Sequence, residues 1–316
     1  MNVRLRVFLE PQQGATYQQL LAMAQLAEEL GFDGFFRSDH YLKMGAIDGR
    51  PGPSDAWITL AGLARETHRL RLGTLLTAAT FRLPGPLAVA VAGVDQMSGG
   101  RVELGLGAAW YAEEHQAFGI PFPPTAERFD RLEEQLAILT GLWQTAEGQP
   151  YAFAGRYHRL GPILVQARPH QRPHPPIIVG GTGRQRTPAL AARYANEFNV
   201  PFVSPDESRA AYAHAAAACE AIGRDPAGLR RSAAVHVCCG ADEAEVRRRA
   251  AAVHREVGEM RATGAAGSPT EVAERLAAHV AAGAQTLYLQ LLDPGDLDHL
   301  RLIADAVVPL LAGTGL

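Results

Sequence analysis

The 316-residue chain alternates short apolar runs with longer amphipathic stretches eight times, which is typical of strands followed by helices. The predicted strands are Arg4–Leu9, Gly34–Arg37, Leu72–Leu76, Val102–Leu106, Ile177–Val179, Glu197–Val200, Ala234–Cys238 and Thr286–Gln290. Continuously apolar strands favour a parallel sheet covered on both faces, although strand count alone leaves a doubly wound sheet open. A chain of this length is ordinary for a closed barrel. The sequence therefore predicts an α/β fold, a (β/α)8 TIM barrel with insertion loops, as one domain over residues 1–316.

Charge and hydropathy narrow the classes of partner. The formal net charge is −3, and no apolar run approaches the roughly 20 residues that span a bilayer. We therefore expect a soluble cytoplasmic protein that binds small molecules and neither nucleic acid nor membrane. The three cysteines and the histidines lack the spacing of a metal site, so no metal is predicted.

A parallel barrel places its active site at the carboxyl ends of the strands, so the fold prediction also locates the candidate site. Five segments follow predicted strands and should share one rim: 37–40, 77–82, 107–111, 180–183 and 199–202. Three connections are unusually long for a compact domain, at 41–53, 145–175 and 261–269. The second carries aromatic residues and paired turn signals, which predict a small hairpin beside the barrel.

The glycine-rich turn after the fifth strand is a candidate anion site. Gly180, Gly181, Thr182 and Gly183 lie between an apolar strand and a helix. Glycines allow close approach of the backbone, and the first helical turn directs unpaired N–H groups at an anion. A tight turn without ligand is the alternative, and the spacing fits neither the Walker motif nor the G-x-G-x-x-G motif of dinucleotide sites. A phosphorylated ligand is the favoured interpretation.

An acid and an imidazole end the second strand, as Ser38-Asp39-His40. Histidine is the usual general acid or base near neutral pH, and the rim position favours a catalytic role over a cap or a core filler. Small residues at the end of the fourth strand, with Gly107 and Ala108, would let a flat ligand approach the backbone. Aromatic side chains are the candidate walls of a substrate pocket, namely Phe36, Phe81, Trp110 and Tyr111.

Several short sequence segments, spread over almost the whole chain, together resemble the bacterial luciferase-like superfamily of flavin and deazaflavin barrels. They are Leu26 to Asp33, Ser38 to His40, Leu70 to Thr74, Asp95 to Val102, Gly105 to Gly107 and Ile177 to Asn199. Ser38-Asp39-His40 and Thr80-Phe81-Arg82 look like the branch that uses coenzyme F420. Homodimers are usual in this superfamily, so a homodimer is expected.

The resemblance implies roles for individual residues. His40 and Asp39 would be catalytic, with Asp39 orienting the imidazole or meeting the deazaflavin ring, and a cis peptide would join Leu75 to Leu76. The implied cofactor-binding residues are Asp39, Leu75, Leu76, Ala78, Gly107, Ala108, Gly180, Gly181, Thr182 and Gly183. Trp110 stands where the sugar-phosphate dehydrogenases of this branch carry a second catalytic glutamate, so glucose 6-phosphate is a doubtful substrate.

The resemblance implies an F420-dependent oxidoreductase that passes hydride between the deazaflavin and a small organic substrate, with reduction of an activated C=C or C=N bond as the expected direction. Arg82, Arg184 and Arg186 slightly favour F420 because its oligoglutamate tail attracts cations. The alternative is an FMN-dependent monooxygenase that uses reduced flavin and oxygen, and a barrel without catalytic activity also stays open.

Overall fold

The computed structural model describes residues 3–164 and 167–313 and contains a closed barrel of eight parallel strands. The barrel strands, in chain order, are β1 (Arg4–Leu9), β2 (Gly34–Arg37), β3 (Arg71–Thr74), β5 (Val102–Gly107), β8 (Ile177–Gly180), β9 (Glu197–Pro201), β10 (Arg230–Cys239) and β12 (Thr286–Leu291). β1 pairs with both β2 and β12, which closes the barrel. Short strands β4 (Thr77–Ala78) and β11 (Ala265–Gly267) pair in parallel with β5 and β10. The predicted TIM barrel is confirmed.

Helices surround the barrel. They are α1 (Tyr17–Glu29), α2 (Ala56–Glu66), α3 (Pro84–Ser98), α4 (Ala112–Ala117), α5 (Thr125–Gln144), α6 (Arg186–Tyr194), α7 (Pro205–Ala221), α8 (Glu243–Ala252), α9 (Val257–Thr263), α10 (Pro269–Ala281), α11 (Leu297–Leu302) and α12 (Val308–Gly313), with a π-helical turn between the last two. Thr16, Ser204 and Ser268 begin α1, α7 and α10 with capping boxes. Within the described ranges, none of these helices is long and apolar enough to cross a bilayer.

The insertion at 145–175 contains the expected hairpin, made of β6 (Pro150–Ala154) and β7 (Arg159–Leu164) in antiparallel pairing. It packs on α5, where the Glu134 carboxylate accepts the backbone N–H groups of Arg156, Tyr157 and His158. The hairpin therefore lies against an outer helix. The prediction of a long loop at 261–269 is wrong. That stretch contains the end of α9 and the whole of β11, which pairs with β10. The three small residues of β11 carry no apolar pattern from which a strand could be predicted.

A buried ion network crosses the barrel interior. The Arg6 guanidinium donates two hydrogen bonds to Glu103, at 2.8 and 3.0 Å, and one to the Tyr288 hydroxyl at 2.8 Å. Tyr288 in turn donates to Glu197 at 2.7 Å, and Arg6 Nε donates to Asp33 at 2.6 Å. The network connects β1, β5, β9 and β12 at one level of the barrel.

The pKa values of Arg6 and Glu103 in this network are set by two opposing effects, burial and ion pairing. Arg6, Glu103 and Glu197 are at most 1% exposed. Burial acts to lower the pKa of Arg6, but the nearby carboxylates outweigh it and raise that pKa. Burial likewise acts to raise the pKa of Glu103, and the cations Arg6 and Arg71 lower it to about 2. Arg6 and Glu103 are therefore charged at neutral pH.

Replacing Arg6 by methionine should destabilise the protein by about 3–5 kcal/mol, because the buried carboxyl groups of Glu103 and Glu197 would lose the buried guanidinium between them and keep only the partly exposed Arg71 and Arg230. Urea unfolding followed by circular dichroism measures the loss. Arg4→Met on the same strand is the matched control, since Arg4 is half exposed and 4.0 Å from Asp33. That control should change the free energy of unfolding by less than about 1 kcal/mol. Equal losses in the two variants would contradict the role given to the network.

Candidate functional site

A cavity of about 540 Å³ opens at the carboxyl ends of the strands. All five predicted rim segments contribute: 107–111 and 180–183 completely, 199–202 with three of its four residues, and 37–40 and 77–82 with two residues each. The residues lining it include Glu10, Ser38, His40, Leu75, Leu76, Thr77, Ala78, Gly107, Ala108, Ala109, Trp110, Tyr111, Glu114, Gly180, Gly181, Thr182, Gly183, Asn199 and Phe202. Nine of the ten expected cofactor contacts therefore surround one space, and Asp39 is the exception.

His40 is held in this cavity by a carboxylate that follows the fourth barrel strand. Its Nδ1 lies 2.9 Å from Glu114 Oε2, on the short helix α4. The other carboxylate oxygen of Glu114 accepts the backbone N–H groups of Tyr41 and Leu42. The His40 side chain is 16% exposed and the Glu114 side chain is fully buried. The pair can hold an imidazole in one orientation with Nε2 left for chemistry.

The charge state of Glu114 follows from these contacts. Burial acts to raise its pKa, but the hydrogen bond from His40 and the two backbone N–H donors outweigh burial and lower the pKa. The side chain is therefore an acceptor only, which suits it to receive the Nδ1 proton of His40.

Asp39 does not orient His40, and this expectation is corrected. Its carboxylate forms an ion pair with Arg82 and accepts a hydrogen bond from Thr77 at 2.8 Å. Arg82 also binds Asp55 at 2.6 Å, so this arginine is neutralised and is not free to attract an oligoglutamate tail. Consecutive side chains on an extended chain point in opposite directions, which is why Asp39 faces the helix layer while His40 faces the cavity.

A flat ligand can lie on the backbone at one wall. The peptide bond between Leu75 and Leu76 is cis, as the resemblance implies. Ala78, Gly107 and Ala108 line the cavity beside it. A β-carbon built on Gly107 would come 3.2 Å from the Leu76 side chain, so the glycine keeps this wall close to the backbone.

The glycine-rich turn forms the far end of the cavity. Gly181 has φ of 139°, a conformation that favours glycine, and a β-carbon on Gly183 would lie 2.9 Å from Thr187 Oγ1. Helix α6 begins at Arg186 without a side-chain cap. No capping side chain therefore accepts hydrogen bonds from the first N–H groups of this helix, which follows the glycine-rich turn. A glycine-rich turn before an uncapped helix start is typical of anion sites. Arg186 is paired with Asp130 at 2.5 Å.

The four aromatic candidates separate into two groups. Trp110 and Tyr111 stack on each other, with ring centroids 5.1 Å apart, and both line the cavity beside His40. Phe36 is fully buried in the barrel interior, where its ring packs on Tyr288 at 5.0 Å, so its assignment as a pocket wall is wrong. Phe81 is also not a wall, because it packs behind the cavity between Tyr41 and His115.

Sequence reasoning missed two acidic residues of the site. Glu10 follows directly after β1, so the rule that placed His40 at the rim could have found it. Burial raises the pKa of its carboxyl, in spite of the nearby His40. Glu114 was harder to find, because it lies on a helix that no strand-end rule covers.

Backbone strain is concentrated at the site. Ala109, Phe202 and His254 are non-glycine residues with positive φ, at 66°, 51° and 54°. Ala109 and Phe202 line the cavity, and His254 lines a neighbouring one. Such conformations cost about 1–3 kcal/mol each and are found at ligand sites.

Comparison with known proteins decides the family. A family model described as luciferase-like monooxygenase matches residues 3–259. The chain belongs to the luciferase-like monooxygenase family. The family resemblance read from the sequence is confirmed.

Relatives within the luciferase-like family carry F420-dependent names. An F420-dependent glucose-6-phosphate dehydrogenase of Microbacterium testaceum is 36% identical over 181 residues, which are 57% of this chain and 51% of that protein. An F420-dependent hydroxymycolic acid dehydrogenase of Mycobacterium tuberculosis is 33% identical over 230 residues, 72% of this chain and 61% of the relative. The matches thus span about half to three fifths of these relatives' lengths.

A solved structure shares this barrel fold over nearly its whole length. The coenzyme F420-dependent tetrahydromethanopterin reductase of Methanopyrus kandleri superposes with a TM-score of 0.80, covering 98% of this chain and 99% of the other, at 18% identity. At that identity the likeness shows the barrel fold.

Replacing Glu114 by glutamine should lower the free energy of unfolding at pH 7 by about 1.5–3 kcal/mol, because three hydrogen bonds lose their charged acceptor. The folded-state pKa is lowered, so this stabilisation is present above the unfolded pKa of about 4.3 and is lost as pH falls through the folded value. Urea unfolding between pH 7 and pH 3 should therefore show the two proteins converging in acid. The exposed neighbour Glu113→Gln is the control, and a constant gap at all pH values would contradict the assignment.

Proposed function

We propose that this protein is a coenzyme F420-dependent oxidoreductase that exchanges hydride with a small organic substrate. The observation that carries the proposal is the single cavity that joins the His40 and Glu114 pair to a flat backbone wall and a glycine-rich anion cradle. Both named relatives described above are F420-dependent dehydrogenases, which supports the same cofactor.

The residues present fit a phosphorylated, flat-ringed cofactor. The wall at Leu75, Leu76, Gly107 and Ala108 accommodates a planar ring. Within the turn, Thr182 and Gly183 would hold a phosphate through backbone N–H groups, because the N–H of Gly181 already donates to the Asn199 carbonyl oxygen at 3.0 Å. A β-carbon on Gly180 would lie 2.9 Å from the Asn199 carbonyl oxygen, so no other residue fits there. When bound, F420 supplies a hydride donor or acceptor at ring carbon C5.

The chain's own groups would handle the proton. Glu114 receives a hydrogen bond from Nδ1 of His40 and fixes the ring, so Nε2 is the atom that gives or takes a proton at the reacting centre. Trp110 and Tyr111 lie beside His40 at the rim, with ring centroids 5.7 and 6.2 Å from the imidazole. We propose reduction of an activated C=C or C=N bond as the direction, because this apolar aromatic wall suits an uncharged acceptor. In that direction His40 donates the proton.

Titration of the purified chain with F420, and separately with FMN, tests the proposal. We expect F420 to bind at least about tenfold more tightly, a difference of about 1.4 kcal/mol. Trp110 fluorescence and the cofactor's own emission report binding. His40→Ala should keep F420 affinity within about twofold and reduce turnover by about 10²–10⁴-fold. Intact turnover in that variant would remove His40 from the mechanism.

A matched pair of glycine variants tests the cradle in the same titration. Gly181→Ala places a β-carbon on a residue with φ of 139° and should weaken F420 binding at least tenfold. Gly161→Ala, on the hairpin, meets no atom within 4 Å and should leave affinity unchanged. Equal affinity in both variants would exclude the turn as a phosphate site.

The second candidate function is an FMN-dependent monooxygenase, favoured by the description of the family itself. A flavin activates oxygen through the nitrogen at position five, whereas a deazaflavin carries carbon there. Preference for FMN in the titration, together with oxygen uptake in the presence of reduced FMN, would establish this alternative over the first.

We also propose that the protein acts in the cytoplasm as a homodimer. Four apolar side chains on and beside α2 and α3 are strongly exposed: Ile58 at 74%, Leu83 at 68%, Val89 at 57% and Met97 at 45%. A cluster of this kind is typical of an association surface.

Val89→Arg should convert the dimer to a monomer, because an arginine at the centre of an apolar interface stays unpaired. Light scattering coupled to gel filtration measures the mass. Ile222→Arg, at a 58% exposed position after α7, is the control and should leave the mass of the native protein unchanged. A native protein that is already monomeric would refute the proposal.

A further inference from the structure

Glu10 is a titratable group of the first cavity that the proposed mechanism leaves unused. It follows β1 directly and lines both this cavity and a second, neighbouring cavity of about 640 Å³. His40 also lines the first cavity, and the charge of its imidazole acts on the Glu10 carboxyl. Because a proton on one group changes the proton affinity of the other, the two side chains can work as one acid–base unit.

The hydrogen bonds around Glu10 run toward its carboxyl. Ser38 Oγ donates to Gln12 Oε1 at 2.6 Å, which leaves the NH2 group of Gln12 for its side-chain hydrogen bond with Glu10. On the other side, Gln290 forms side-chain hydrogen bonds with both Glu10 and His236. The His236 imidazole donates to the Gln290 amide oxygen, and the amide NH2 group donates to Glu10. An ionised carboxylate only accepts hydrogen bonds, so two amide donors suit a charged Glu10.

This network also ties Glu10 to the strand end that carries His40. Ser38 stands two residues before His40, directly after β2, and Gln290 lies on β12. The side chains that connect them are well buried, since Ser38, Gln12 and Gln290 are each 1% exposed. Buried polar networks whose members are paired hold their side chains in one arrangement. The carboxyl and the imidazole are therefore kept at a fixed separation by the ends of barrel strands.

The other charges near Glu10 leave this coupling in place. Burial raises the pKa of Glu10, and among the groups that act to lower it, the His40 charge has the largest effect, ahead of the two amides and Arg255. Arg255 is offset by its ion pair with Glu259. Burial lowers the pKa of His236 to about 4, so this imidazole is neutral at pH 7. Among the described residues that line the two cavities, the other titratable side chains are Tyr111, Glu114, His115, His254 and Asp293.

We propose that Glu10 is a positioning residue that keeps the transferable proton on His40. Its carboxylate, fixed by two amide donors, favours the protonated imidazole, while Glu114 orients the ring through Nδ1. The unit then holds one proton at Nε2, and this is the proton that His40 gives up in the proposed reduction. The inference deepens the proposed function and rests on it for this use of the proton, whereas the coupling itself belongs to the chain without cofactor.

Glu10→Gln tests the coupling, because glutamine keeps the size of the side chain and removes its charge. NMR titration of the histidine Cε1–H signals in the unliganded chain measures the proton affinity of His40, whose signal is assigned by its loss in His40→Asn. We expect Glu10→Gln to lower that affinity at least about threefold, roughly half a pH unit. Asp293→Asn, which removes another carboxyl charge from the second cavity, is the matched control and should change the affinity by less than about 1.5-fold.

The reciprocal titration decides the question even if Glu10→Gln does not fold. In the native protein, burial should place the pKa of Glu10 above the ordinary value of about 4.3, as followed by the carbon NMR signal of its carboxyl. In His40→Asn, which keeps a donor for Glu114 and removes the imidazole charge, Glu10 should bind its proton more tightly by the same factor. The two shifts must agree because the coupling between two sites is reciprocal.

Failure of this inference is distinct from failure of the proposed function. If F420 does not bind, the proposed function fails, and the titrations of the unliganded chain still decide whether Glu10 and His40 are coupled. An unchanged His40 titration in Glu10→Gln, an unchanged Glu10 titration in His40→Asn, or an equal shift of His40 in Asp293→Asn would each overturn the inference.

Discussion

The buried pairing of Arg6 with Glu103 is the interaction on which the barrel and its site depend. An arginine inside a parallel barrel is stable only if fixed carboxylates surround it, and here Glu103, Glu197 and Tyr288 come from three other strands. Because the hydrogen bonds between these side chains form only at one arrangement of the four strands, they fix how those strands lie relative to one another. The apolar layer of Phe8 and Phe36 follows on the carboxyl side, in the register that pairs these two residues.

That layer forms the floor beneath the site. Phe8 borders the first cavity, and its neighbour Phe36 packs on Tyr288, a member of the ion network. One layer of aromatic rings therefore lies between the ion network and the groups that face the cavity. His40 and the glycine-rich turn are then held at opposite parts of one rim by the ends of β2 and β8.

Sequence patterns predicted the barrel and most of the rim because both depend on local regularities. The wall at Gly107 and the turn at Gly180 to Gly183 were named from short motifs, and the cis bond between Leu75 and Leu76 from the family resemblance; the structure brings all three to one cavity. Asp39 and Phe36 were misassigned because proximity in sequence does not give side-chain direction.

By itself, the sequence determined the alternation of strands and helices, and with it the face of the barrel where the site had to form. Apolar periodicity and glycine placement depend on neighbours in the chain, so they can be read without coordinates. Only the tertiary structure decided that Glu114, 74 residues from His40, holds the imidazole, and that Arg82 is neutralised by Asp39. Partners of this kind are chosen by packing between distant segments, and no local pattern records which carboxylate will reach which base.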